Sequence, residues 1–241
     1  MKKSYSFYYL TMVLLLLAGI SGCSKNELNL QPFDKLTPTS AFNSEADLQL
    51  YANSFYNILP TGNTIIRGDL LSDYSANKAA STYLIPGGFS ATMATGWSWT
   101  NLRNVNYFLQ HYGQAKVTDD VKNNYQGIAR FFRAWFYFGM VKKFGDVPWY
   151  SKPLEVGDSA LYKARDARSL VMDSVLADLN FACANINSAK DNTSSLITRW
   201  VALAFKSRVC LFEGTFRKYH PELGLGGTVS QWLNESVSAA Q

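Results

Sequence analysis

The sequence predicts an all-α protein organised around one buried helix, and three observations point there. In residues 119–150, DDVKNNYQGIARFFRAWFYFGMVKKFGDVPWY, apolar positions Val121, Tyr125, Ile128, Phe132, Trp135 and Gly139 recur at helical spacing. From Phe131 to Val141 the other faces fill in as well, leaving Arg133 as the only charge in that stretch. A helix apolar all round must be covered on all sides, so it is expected to be a central pillar. Its end is marked by Lys142 and Lys143, which suit the negative pole of the helix dipole, by Gly145 for the left-handed C′ position, and by Pro148, which forbids continuation.

The amino terminus reads as a leader. Lys2 and Lys3 precede an apolar core from Leu10 to Ile20, too short to span a bilayer comfortably. The core runs into Ile20-Ser21-Gly22-Cys23, which resembles the bacterial lipobox. Residues 1–22 are therefore expected to be a lipoprotein signal peptide, with Cys23 carrying acyl chains such as palmitate. More than one chain makes such anchoring stable. Residues 23–40, polar and containing two prolines, read as the lipidated tether.

Residues 41–241 are expected to form the helical domain. Ser44 is placed to cap a first helix with Asp47 at N3, and Leu48, Tyr51, Ala52, Phe55 and Ile58 make its apolar face before Pro60 closes it. Residues 61–96 form the longest irregular stretch, with five glycines, and loops of that length are commonly functional. The stretch carries Arg67, Asp69, Asp73, Tyr74, Asn77, Tyr83 and Phe89, with Trp97 and Trp99 at its exit.

A second helix is expected from about Trp99 to Tyr112, with Leu102, Val105, Asn106 and Leu109 on one side. Asn106 in that apolar stripe is expected to bind a cap or turn through its amide rather than a ligand. After the pillar comes a loop over residues 146–164. A helix from about Asp166 to Ile186 follows, with Leu170, Val171, Val175, Leu179, Ala182 and Ile186 in series. Beyond AKDNTSS the segment ITRWVALAFKSRVCLFEGTFRKYH reads as a further helix, whose small residues Ala202 and Ala204 are expected to admit a neighbouring helix closely. Paired antiparallel helices of this kind are the tetratricopeptide design, although no strict 34-residue period is present. After a flexible loop at Gly224 to Gly227, Val229 to Gln241 begins another amphipathic helix and stops inside it, so the sequence is expected to be incomplete at its carboxyl end.

Composition narrows the function. With 47% apolar and 15% aromatic residues the chain can build a core. Removing Lys2 and Lys3 lowers the net charge from +5 to +3, and no basic run survives, which argues against nucleic acid as a partner. Cys183 and Cys210 lie on apolar faces and are expected as buried free thiols, though a disulfide between them is the alternative. With His111 and His220 the only histidines, no Cys/His metal cluster and no Ser-His-Asp triad can be assembled. There is no Gly-rich phosphate loop, no G-x-S-x-G and no HExxH. A glycosidase needs two carboxylates about 5 to 9.5 Å apart, and nothing marks Asp69 or Asp73 as a catalytic acid. The chain is expected to be a binder, not an enzyme, with no cofactor.

FFRAWFYFGMVKKFGDVPW, with its buried Arg133 and terminal Gly145-Asp146-x-Pro148, resembles a segment of the SusD/RagB family of nutrient-binding outer-membrane lipoproteins. WTNLRNVNYFL just ahead of it, and Ala202, Ala204, Arg208, Val209 and Leu211 beyond it, resemble further family segments. Members often carry Glu where this chain has Ile128, so Arg133 is expected to find another acid, or several carbonyls, as its structural partner. The resemblance implies tetratricopeptide-like units and an aromatic arc that holds a glycan. It also implies a SusC-like TonB-dependent transporter as partner, and a lipid-anchored, surface-exposed place at the cell outer membrane. Sugars lay C–H faces on aromatic rings and hydroxyls on planar polar groups. The candidate ligand residues are therefore Asp73, Tyr74, Tyr83, Trp97, Trp99 and Asn101, with core packing or transporter contact as the competing role for each ring. An envelope-anchored helical-repeat scaffold for a protein or peptide is the alternative function.

Overall fold

The computed structural model describes residues 41–68, 78–79, 81–189 and 191–241, together with Tyr9 and Met12. The chain divides into two units, Met1–Thr37 and Pro38–Gln241. In the first, Tyr9 and Met12 are described, both helical and exposed; the expected lipidation site Cys23 lies outside the described residues.

In the second unit the described residues form α1 (Glu45–Asn53), α2 (Gly62–Gly68), α3 (Thr100–His111), α4 (Asp119–Phe144), α5 (Arg168–Asn185), α6 (Arg199–Tyr219) and α7 (Val229–Ala240), linked by turns of 3₁₀ helix. No strand occurs among them. One isolated antiparallel bridge joins Val147 to Asp166. The all-α expectation holds.

The pillar is α4. Thr118 accepts from the Val121 N–H at its start, Asp119 and Asp120 sit in the first turn, and Lys142 and Lys143 in the last. Phe131, Phe132, Ala134, Phe136, Tyr137, Phe138, Met140 and Val141 are all buried, as the composition of the stretch demands, while Trp135 is half-buried and Gly139 is left exposed. Gly145 ends it with φ 69° and ψ −116°. The positive φ was expected, but this ψ lies outside the left-handed helical basin, in a region open to glycine alone.

Three hairpins follow from the side-chain pairings. Gly127 faces Ala182 and Ile186 while Arg133 bonds Asp178, so α4 and α5 run antiparallel. Arg168 bonds Glu213 and the Arg199 N–H donates to Asn187 at the far end, so α5 and α6 do the same. Gly214 against Leu233 and Ser207 against Ser236 set α6 and α7 antiparallel. This is the tetratricopeptide-like stacking of neighbouring pairs.

Several local expectations change. Ala202 is buried but Ala204 is exposed, because residues two apart point to different sides of a helix. The close approaches fall instead at Gly127 and Gly214, where an added Cβ would lie 2.8 Å from Ile186 and from Leu233 respectively. Leu170 also turns outward, 49% exposed. The capping box of Ser44 and Asp47 forms as read, yet the α-helix ends at Asn53 and tightens into 3₁₀ over Ser54–Ile58. Part of the expected irregular stretch is helix: α2 starts where Thr61 accepts from the Thr64 N–H. With Ile65 and Ile66 both exposed, α2 has no apolar stripe by which to read it. The expected flexible loop near Gly224 consists of two 3₁₀ turns, Pro221–Leu223 and Gly226–Thr228. Cys183 and Cys210 are buried free thiols. Burial raises both, Cys210 to about 12.

Candidate functional site

A cleft of about 640 Å³ opens where the start of α3 meets the segment between α4 and α5; Trp97, Trp99, Leu102, Asn106, Pro148 and Tyr150 are among its lining residues. A second cleft of about 690 Å³, lined by Phe89, Ala94, Lys142, Lys143 and Phe144, adjoins it through Trp97 and Arg165, which line both.

The segment after α4 is positioned by backbone-directed side chains. Asp146 accepts from the first N–H of α5, that of Arg168, at 2.8 Å, so the Gly-Asp-x-Pro sequence caps the next helix as well as ending its own. The Asp166 N–H donates to Val147 at 3.2 Å and the Trp149 N–H donates to the Asp166 carboxylate at 2.6 Å. The Tyr137 hydroxyl accepts from the Tyr150 N–H at 2.6 Å and faces the Pro148 carbonyl at 3.3 Å. Its buried site pushes the Tyr137 phenol well above the ordinary tyrosine range.

Arg133 holds this arrangement from behind. Its Nε and Nη2 donate to Asp178, each at 2.7 Å, and its Nη1 lies 3.4 Å from the Asn106 carbonyl oxygen. Asn106 in turn donates to the Tyr150 carbonyl at 2.8 Å, the turn-binding role read for its amide. The acid that replaces the Glu missing at position 128 is thus Asp178. The guanidinium carbon lies 5.2 Å from the Trp149 ring centre.

The rings face one another edge on. Trp99 meets Trp97 at 5.3 Å and 83°, and Tyr150 at 5.3 Å and 76°, and it also packs on Phe136 and Tyr137. Trp97 meets Phe144 at 5.0 Å and keeps 43% of its surface open. Trp99 is half-buried. Core packing and an open platform therefore coexist in one cluster: Trp99 anchors it and Trp97 presents it.

Of the other candidates, Asn101 is exposed on α3 and does not line the cleft. Tyr83 falls in the 3₁₀ turn Thr82–Leu84. Asp73 and Tyr74 lie outside the described residues, as do Asp69 and Asn77. Sequence reasoning missed Tyr150, Arg103, Lys152, Lys163 and Arg165. The aromatic pair Trp149-Tyr150 just past a helix stop was the available signal, while the basic residues carried none. Among the described residues no group of His, Cys, Asp and Glu is arranged to hold a metal ion.

Residues 40–199 match the SusD-like family model described as starch-binding and associating with the outer membrane. The chain belongs to the SusD-like family. SusD-like protein P2 of Formosa agariphila is 25% identical over 226 residues, covering 88% of this chain and 44% of that protein. Among solved structures, this SusD-like chain superposes on Bacteroides fragilis NanU with a TM-score of 0.58 at 18% identity, covering 87% of this chain and 44% of NanU. A SusD-like protein of B. fragilis gives 0.57 at 20% identity, covering 84% and 41%. A SusD-like carbohydrate-binding protein of B. fragilis gives 0.56 at 19%, covering 80% and 40%. At these identities the likeness is one of fold. The chain spans less than half the length of these relatives. Among the described residues no helix is long and apolar enough to cross a membrane.

Proposed function

We propose that the protein captures a nutrient glycan at the Trp97–Trp99–Tyr150 cleft and hands it to a SusC-like TonB-dependent transporter. In this reading it does so from the cell outer membrane, anchored through lipidated Cys23 and the tether of residues 23–40. The observation that carries the reading is the cleft itself: an open indole beside two half-buried rings, with amide and guanidinium groups at the same wall. That is the chemistry a sugar ring requires, apolar faces for its C–H bonds and planar partners for its hydroxyls. The starch-binding description of the family, and a carbohydrate-binding protein of B. fragilis with the same fold, support it. Catalysis forms no part of the proposal; binding rests on stacking and hydrogen bonds.

Retardation of the purified protein in native gels cast with a panel of polysaccharides tests the reading. Retardation by at least one polysaccharide, lost in Trp97→Ala, is expected. The scaffold alternative has its own support in Trp200, Leu211 and Tyr219, apolar side chains left exposed on α6. No retardation by any polysaccharide, together with co-purification of a peptide-bearing partner sensitive to Trp200→Ser, would favour it instead.

A further inference from the structure

The two adjoining clefts are lined by six cationic side chains, Arg103, Lys142, Lys143, Lys152, Lys163 and Arg165, and by no carboxylate among the described residues. The chain's excess of base does not account for this. The separate cleft between α1, α4 and the segment after α5 has Glu45 and Asp191 in its lining and no cation.

Two of the six are partly neutralised. Lys163 lies 2.5 Å from Asp166, and Arg103 meets Glu155 at 3.3 Å in an exposed, solvent-screened pair. Arg165 is different. It is exposed, it belongs to both clefts, its guanidinium sits 4.9 Å from the Trp97 ring centre, and its hydrogen bond goes to the Phe144 carbonyl at 3.4 Å, a neutral acceptor. Lys143 reaches the same corner, with its ammonium 3.1 Å from where a Cβ on Gly96 would stand. Burial, and after it the charge of Arg208 on α6, holds the Lys142 ammonium below its ordinary range.

A cleft lined by one sign of charge concentrates its field on the ligand. A guanidinium laid along an indole leaves its N–H fork directed past the ring edge, where a carboxylate or sulfate accepts two parallel bonds. Resting on the glycan reading given above, we infer that the saccharide this site selects is anionic, a uronate-bearing or sulfated glycan. Its ring lies on Trp97 and its charged group pairs with Arg165, with Lys143 and Lys152 on either side.

The test uses matched pairs in isothermal titration with the purified protein: polygalacturonate oligosaccharides and their carboxyl-reduced forms, and sulfated carrageenan oligosaccharides and their desulfated forms. Each is run at low and high salt, on the wild type and on Arg165→Gln. Arg165 is exposed, so the variant is expected to fold, which circular dichroism checks. The charged member of at least one pair should bind about tenfold or more tightly than its neutral twin. That preference should shrink in high salt and in Arg165→Gln. The pair that discriminates tells carboxylate from sulfate. Equal binding of both members overturns this inference and leaves glycan capture standing. Binding to no saccharide overturns both. Binding confined to vesicles of anionic lipid assigns the cations to a membrane surface and overturns it as well.

Discussion

Arg133 on α4 grips Asp178 on α5 through two hydrogen bonds of 2.7 Å, with side-chain exposures of 10% and 4%. One ion pair thus locks the first helical hairpin and, through Asn106, the Tyr150 carbonyl at the cleft wall.

Removing one partner strands a buried charge. Asp178→Ala should cost about 3–5 kcal/mol in urea unfolding, because Arg133 and the nearby Arg130, 3.9 Å from Asp178, both lose their acid. The double variant Arg133→Met, Asp178→Leu should lose less than Asp178→Ala alone. A double variant as unstable as the single would remove the stranded charge as the cause.

Two glycines of α4 should respond in opposite directions to alanine. At Gly127 the new Cβ would meet Ile186 Cγ1 at 2.8 Å and Ala182 Cα at 3.6 Å, so Gly127→Ala should destabilise by about 1–3 kcal/mol. At Gly139 the Cβ meets nothing within 4 Å, and Gly139→Ala should stabilise by about 0.5–1 kcal/mol through the unfolded chain's lost freedom. Thermal unfolding of the two variants reads both signs.

The tryptophans should divide their roles. Trp97→Ala should lower glycan affinity about tenfold, on the order of 1.4 kcal/mol, with little change in unfolding. Trp99, packed on Phe136, Tyr137 and Tyr150, should cost about 1–3 kcal/mol of stability when cut to Ala. Calorimetric titration beside denaturant melts separates the two.

Asp166 predicts an acid-side effect. Burial raises its carboxyl, but the Lys163 ammonium and the Trp149 N–H together outweigh burial and hold it below the ordinary carboxylate value. A carboxyl lowered on folding contributes stability above its unfolded value, near about 4, and that contribution is lost as pH falls through the folded value. Asp166→Asn should therefore flatten the loss of stability below about pH 4, measured as unfolding midpoints across pH.

Cys23→Ala should leave the protein unlabelled by tritiated palmitate and move it from the membrane fraction to the soluble one. Continued acyl labelling of that variant would refute the proposed anchor.

The helices were legible where the signal was local. Residues 119–144 could be placed because the period, the caps and the closing glycine lie within the segment itself. α2 escaped notice because its seven residues are all exposed and show no stripe. Part of the candidate site was legible too: Trp97 and Trp99 line the cleft, while Asn101, two positions on, is exposed and outside its lining.

By itself the sequence established an all-round apolar helix with a lone guanidinium inside it, which required a counter-charge wherever the chain could supply one. The tertiary structure decided that this counter-charge is Asp178, 45 residues along. It also decided that Tyr150, Lys152 and Arg165 share a wall with the tryptophans. Periodicity and caps are set by neighbours a turn apart and so are written into the sequence. A pairing across dozens of residues depends on how hairpins stack, and stacking leaves no repeat to read.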